Sequence, residues 1–210
     1  MKIIIPARKG SKGFPFKNRK LFKYTADIVP NSLKDNTYVI TDDEEIQKMS
    51  IDSGFSHIER PHCLSTDTVS TKRVMEHAID VLELNNELVL MLYLTYPERT
   101  WDDVESALQF LNINKSNSLL CRKKLNVSPF LILKEEECEK GSQLISHDLY
   151  RRQDYPNCFE LSHYICIFKS NEVEHLNNNL YNKNTVYFKI DNHIIDVDYE
   201  KNLLDFKNER

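Results

Sequence analysis

The stretch from residue 2 to residue 18 constrains this chain more than any other. Lys2-Ile3-Ile4-Ile5-Pro6 is a short apolar run, and it opens at once into Ala7-Arg8-Lys9-Gly10-Ser11-Lys12-Gly13-Phe14-Pro15-Phe16-Lys17-Asn18. A buried strand that feeds a loop rich in glycine and cations has the layout of a polyphosphate site. Glycine lets the backbone approach a phosphate, successive N–H groups form an anion nest, and lysine and arginine neutralise the charge. The chain has only four glycines, and Gly10 and Gly13 are two of them. The competing reading is a solvated basic turn after a strand. The loop lacks the Lys-Ser/Thr ending of a P-loop and the three glycines of a dinucleotide fingerprint.

Strand and helix signals alternate downstream, which predicts an α/β fold with a mainly parallel, Rossmann-like sheet flanked by helices. Strands are expected at 2–6, 37–40, 56–59, 87–94, 118–121, 159–168 and 186–190, with the very apolar run at 87–94 central. Helices are expected at 43–53, 71–84, 100–110 and 199–206. Residues 122–155 are polar and irregular, so an arm is predicted around 122–160. No linker separates a second unit, and residues 1–210 are read as one domain.

Composition excludes some partners. The net charge of −4 disfavours nonspecific nucleic-acid binding, so an anion site must be a local basic patch. No apolar run reaches membrane-span length and no signal peptide precedes the first strand, so no membrane partner is expected. Five irregularly spaced cysteines without zinc-ligand spacing suggest free thiols in a reducing, cytoplasmic compartment.

Ligands of open α/β sheets bind beyond the carboxyl ends of the strands. The first strand delivers the loop there, the second delivers Asp42 and Asp43, and the apolar run delivers Thr95, Tyr96 and Arg99. Asp43 is read as a helix N-cap. Asp196-Val197-Asp198 places two carboxylates on one side of an extended segment, a donor pair suited to Mg²⁺ beside phosphates; a surface Asp-x-Asp is the alternative. Arg60, Asp67, Ser70 and Thr71 suit a ribose or base, or plain N-cap chemistry. Arg151-Arg152 suits a carboxylate, or solvent. His163 and Cys166 are read as packing or hydrogen-bonding residues, not a nucleophilic pair. Tyr187 and Phe188 are read as core.

The first loop resembles the signature of the acylneuraminate cytidylyltransferases (CMP-sialic acid synthetases). The matching positions are Ile5 to Arg8, Gly10 to Gly13, Pro15 and Lys17-Asn18. Further blocks follow in order at 39–46, at Arg60-Pro61 with Leu64 and Asp67, at Thr95, Pro97, Arg99 and Thr100, at Arg152-Gln153 with Pro156, and at 196–198. The resemblance implies a nucleotidyltransferase-type fold and transfer of CMP from CTP to the anomeric hydroxyl of a 2-keto sugar acid of the nonulosonic type, with release of pyrophosphate. It implies Mg²⁺, a homodimer, and an arm that crosses the dimer interface.

Carried over position by position, Arg8 and Lys12 hold the triphosphate and Lys17 stabilises charge at the α-phosphate. Ala7, Gly10, Ser11, Asn18, Arg60, Val69 and Thr71 complete the nucleotide side. Asp196 and Asp198 bind the metal, and Asp198 also activates the attacking hydroxyl. Tyr93, Thr95, Arg152, Ser162 and His163 face the sugar, with Arg152 on its carboxylate. The departures fall on the sugar side. Tyr93-Leu94 stands where the family has Gln, Tyr96 replaces Ser, Glu98 replaces Leu, Ser162-His163 replaces Asn-Gly, and the arm lysine falls at Leu131. The segment between 20 and 37 is also short. The acceptor pocket is therefore expected to be rebuilt, and N-acetylneuraminate to be a poor acceptor. Kdo or another non-sialic acceptor, and a catalytically silent nucleotide-binding subunit, are the alternatives.

Overall fold

A computed structural model describes residues 1–10, 13–191 and 194–208. In these residues a seven-stranded sheet runs in the order β3-β2-β1-β4-β8-β5-β9. The strands are β1 (Lys2–Pro6), β2 (Thr37–Thr41), β3 (Ser56–Glu59), β4 (Leu88–Met91), β5 (Ser118–Lys124), β8 (Phe159–Lys169) and β9 (Val186–Lys189). Strand β8 runs antiparallel to both its neighbours, β4 and β5, and the other pairings are parallel. β4 is the middle strand, as its uninterrupted apolar sequence leads one to expect.

Both faces of the sheet are covered, which explains why β1 is apolar at consecutive positions. Ile3 and Ile5 enter a core with α1 (Lys17–Ile28), α4 (Trp101–Ile113) and α5 (Glu200–Asn208), while Ile4 enters a second core with α3 (Thr71–Val81). α2 (Glu44–Asp52) starts where Asp43 accepts the N–H of Glu45, the N-cap read from the sequence. Asp43 is 1 % exposed and also takes a two-pronged bond from Arg19 on α1, at 2.7 and 2.8 Å. Burial alone would raise this carboxyl; the Arg19 and Glu45 bonds outweigh it and hold it below its ordinary range. α4 opens with a reciprocal capping box between Thr100 and Asp103.

Two features differ from the sequence reading. The basic first loop ends sooner than expected, because Lys17 and Asn18 already belong to α1, whose entry residue Phe16 is left-handed (φ 55°) and makes no side-chain cap. The arm is also shorter than 122–160. Arg122, Lys123 and Lys124 pair with Leu161, Glu160 and Phe159 and extend the sheet. The excursion proper covers 125–158 and carries its own antiparallel hairpin, β6 (Leu133–Glu135) with β7 (Gly141–Gln143), turned by Cys138 and Glu139 at positive φ. Tyr187 and Phe188, read as core, are half-buried on β9, against opposite faces of the sheet.

The sheet order fixes where a ligand can sit. The chain builds outward from β1 through β2 to β3, then jumps back to place β4 on the other side of β1. The loops after β1 and β4 therefore diverge and leave a crevice between them, the switch point at which open α/β sheets bind ligands.

Candidate active site

A cleft of about 400 Å³ lies at that switch point. The end of β1 contributes Pro6, Arg8 and Gly10, the start of α1 contributes Lys17 and Asn18, and the segment after β3 contributes Arg60, Thr66, Asp67 and Val69. Thr71 and Val74 come from α3, Tyr93, Thr95 and Tyr96 from the end of β4, His163 from β8, and Asp196 and Asp198 from the segment before α5. Residues far apart in sequence thus meet in one concave site.

Two cations of the cleft are paired with carboxylates. Lys17 Nζ lies 2.8 Å from Asp198 Oδ1, and Arg8 Nη1 lies 2.5 Å from Asp67 Oδ1. Asn18 donates to the Arg8 carbonyl at 2.8 Å, and the Lys9 N–H donates to Asp42 at 2.7 Å, which ties down the described part of the first loop. Arg60 is buried and donates from Nε and Nη2 to the Leu64 carbonyl at 2.9 and 2.6 Å, which organises the loop that carries Asp67. Its guanidinium is shifted down by burial, with Asp42 opposing the shift.

The opposite wall is aromatic. The Tyr93 hydroxyl is hydrogen-bonded to Thr71, and burial pushes its pKa up to about 12. The Tyr93 ring meets His163 edge to face at 5.8 Å, and His163 Nε2 lies 2.9 Å from the Asn179 carbonyl oxygen, an acceptor that makes this nitrogen the donor. Tyr96 donates to Asp196 Oδ2 at 2.8 Å and is held protonated by burial and by that carboxylate.

The structure sorts the residues read from the sequence. Arg8, Gly10, Lys17, Asn18, Arg60, Val69, Thr71, Tyr93, Thr95, His163, Asp196 and Asp198 all line the cleft. Ser11 and Lys12 lie outside the described residues. Ala7 is fully buried, and its N–H bonds the Ile40 carbonyl at 3.0 Å, so its side chain belongs to the core and does not face the cleft. Ser162 is buried behind the cleft wall, where its oxygen accepts the Tyr164 N–H. Arg152 is exposed on the arm and does not line the cleft of its own chain.

Arg99, expected among the strand-end polar groups, turns inward instead. It is 2 % exposed and donates to the carbonyls of Tyr93 and Tyr164 at 2.7 Å each and to Thr25 at 3.2 Å. Burial pushes it down to about 10, so it stays a cation that staples the β4 loop to β8 and α1. Gly13 also has a role other than phosphate approach. A Cβ there would meet the Asp198 carbonyl oxygen at 3.1 Å and the Tyr199 ring at 3.2 Å, so its bareness lets the first loop pack on the carboxylate segment. Cys166 is fully buried and its thiol is shifted up by burial, which rules out a nucleophile there. The sequence pointed to Tyr96 as a strand-end polar residue and as a substitution of the family's Ser; its bond to Asp196 depends on tertiary placement and left no local signal.

Asp196 and Asp198 are the candidate metal ligands of the cleft. Each has one oxygen already bonded, to Tyr96 and to Lys17, and one that accepts from no described residue. No cluster of three or more His, Cys, Asp or Glu side chains suited to a metal occurs among the described residues. That donor set fits an ion such as Mg²⁺, which takes one or two carboxylates and completes its shell with water and phosphate oxygens.

A mainly parallel sheet with a switch-point cleft that gathers cations and two carboxylates is a nucleotidyltransferase-type fold. Among solved structures, a CMP:2-keto-3-deoxy-manno-octonic acid synthetase complexed with CTP matches with a TM-score of 0.69 over 99 % of this chain and 97 % of its own, at 14 % identity. The resemblance drawn from the sequence holds among curated proteins. An N-acylneuraminate cytidylyltransferase of Streptococcus agalactiae serotype III (strain NEM316) is 28 % identical over 169 residues, 73 % of this chain. This chain spans only 41 % of that relative's length. The post-translational flagellin modification protein B of Campylobacter coli is 29 % identical over 97 % of this chain and 90 % of its own. A pseudaminic acid cytidylyltransferase of Campylobacter jejuni subsp. jejuni serotype O:2 is 33 % identical over 55 % of each chain. No family model matches the chain.

Proposed function

We propose that this protein transfers a cytidylyl group from CTP to the anomeric hydroxyl of a 2-keto sugar acid of the sialic or pseudaminic type. One observation carries the reading: Lys17 and Asp198, 181 residues apart in sequence, meet in a switch-point cleft that also holds Arg8, Arg60 and Asp196. In the reaction the anomeric oxygen bonds to the α-phosphorus, the bond from that phosphorus to the α,β-bridging oxygen breaks, and pyrophosphate leaves. Such chemistry is mostly positioning and charge neutralisation.

The ion pairs give this wall a second state. A triphosphate competes with Asp67 for Arg8 and with Asp198 for Lys17. Lys17 then faces the α-phosphate, and the freed Asp198 carboxylate accepts the proton of the attacking hydroxyl. Asp196 and Asp198 would hold Mg²⁺, which when bound would neutralise phosphate charge. Tyr93, Thr95 and His163 face the acceptor, and the bulk of Tyr93 in the aromatic wall favours a sugar other than N-acetylneuraminate.

Arg152 serves a cleft from a second copy. The arm exposes Val127, Leu131, Leu133, Leu144 and Tyr150, a surface suited to burial in a homodimer. The relatives named for N-acylneuraminate and pseudaminic acid support the acceptor class. The test is pyrophosphate release from each of the four nucleoside triphosphates against a panel of 2-keto sugar acids, with Mg²⁺ and with EDTA. CTP-dependent release with one acceptor and Mg²⁺ is expected. Equal release with EDTA would overturn the metal assignment, and no release with any acceptor would overturn the activity.

A further inference from the structure

One of the departures from the family pattern, Tyr96, is tied directly to a carboxylate of the cleft. Tyr96 is nearly buried, and its ring meets Tyr164 edge to face at 5.5 Å. Its hydroxyl donates to Asp196 Oδ2 at 2.8 Å. A ring packed in the core thus ends in a hydroxyl that holds one oxygen of the cleft carboxylate. Tyr164 is itself anchored, by donation to Asp103 at 2.7 Å.

We propose that Tyr96 is a positioning residue for Asp196: it pins Oδ2 and so presents Oδ1 to the divalent cation that accompanies the triphosphate. The inference rests on the cytidylyl-transfer reading and its metal assignment. Its physical basis is general. A carboxylate on an irregular segment has rotamer freedom, and an outer donor that fixes one oxygen removes that freedom before the metal arrives. A donor held by a buried ring packed on Tyr164 has little freedom of its own, so the restraint is transmitted to the carboxylate. Tyr96 is on this account not part of the acceptor floor.

The test is Mn²⁺ binding to the CTP-saturated protein without sugar, read by water-proton relaxation enhancement, which separates protein-bound metal from free Mn–CTP. Tyr96→Phe keeps the ring and removes the hydroxyl. It should raise the half-saturating Mn²⁺ concentration about tenfold, with CTP affinity in EDTA unchanged; outer-shell partners typically count for 10- to 100-fold. Tyr96→Met also lacks the hydroxyl and carries the same test if Tyr96→Phe does not fold. Mn²⁺ affinity equal to wild type in the folded Tyr96 variant, with Asp196→Asn impaired, would overturn the positioning role while leaving the metal assignment standing. Wild-type affinity in Asp196→Asn as well would overturn the metal assignment, and the positioning role with it.

Discussion

The two walls of the cleft are built on opposite principles. On the first-loop side the groups are charged, and their partners are partly solvated: Asp198 is 63 % exposed and Lys17 13 %. On the aromatic side, Tyr93 and Tyr96 are neutral hydroxyls pinned within or against the core. A solvated ion pair contributes little to stability and is given up at small cost. A buried hydroxyl bond is expensive to break, because the group left behind loses its partner without regaining water. The charged wall is thus able to exchange partners when phosphates arrive, whereas the aromatic wall keeps its shape and selects what fits.

The largest expected effect tests the exchangeable wall. Lys17→Ala should lower kcat by about 100-fold with CTP KM little changed, as for loss of one electrostatic contact made in the transition state. A normal kcat with a raised KM would make Lys17 a binding residue only. Next, Arg152→Ala should raise the sugar KM about tenfold, the order expected for a charged hydrogen bond to a carboxylate, with CTP kinetics intact. Unchanged sugar kinetics would remove the arm from the site. N-acetylneuraminate used as well as the best alternative acceptor would show that the aromatic wall does not select against it.

The rigid wall is tested by Tyr93→Phe, which strips the hydroxyl from the Thr71 bond. Stability should fall by about 1 kcal/mol, a shift of roughly 2–4 °C in Tm for a chain of this size. A Tm equal to wild type would mean that this wall is no more committed than the other. The smallest effect is expected for Asp67→Asn. Arg8 then has no carboxylate to leave, and CTP KM should drop about twofold, in line with a weak exposed pair. A rise in KM would show that Asp67 orients Arg8 instead of competing for it.

The parts legible in the sequence are those in which local pattern and tertiary fate coincide. The apolar runs of β1 and β4 required cover on both faces, and polar residues just past their ends had to emerge at one edge. Asp43 and Thr100 announced helices by capping chemistry. α1 gave no such announcement, because its entry residue is a left-handed phenylalanine without a capping bond and its first residue is one of the loop cations. Arg99 read as a strand-end polar group on the ligand face; it is buried because acceptors on Tyr93, Thr25 and Tyr164 converge on it. The arm hairpin was invisible since Leu133–Glu135 and Gly141–Gln143 are wholly exposed and carry no alternation to detect.

The contact at Gly13 has a consequence for how the site comes into being during synthesis. The first loop leaves the ribosome long before the segment it rests on, at Asp198 and Tyr199. A nascent chain with every strand of the sheet already emerged still lacks the two carboxylates, the partner of Lys17 and the surface that receives the loop. Nucleotide affinity should therefore appear late and abruptly along the growing chain, well after most of the sheet is able to pair. Stalled nascent chains arrested on either side of residue 198, exposed to labelled CTP, would display that step.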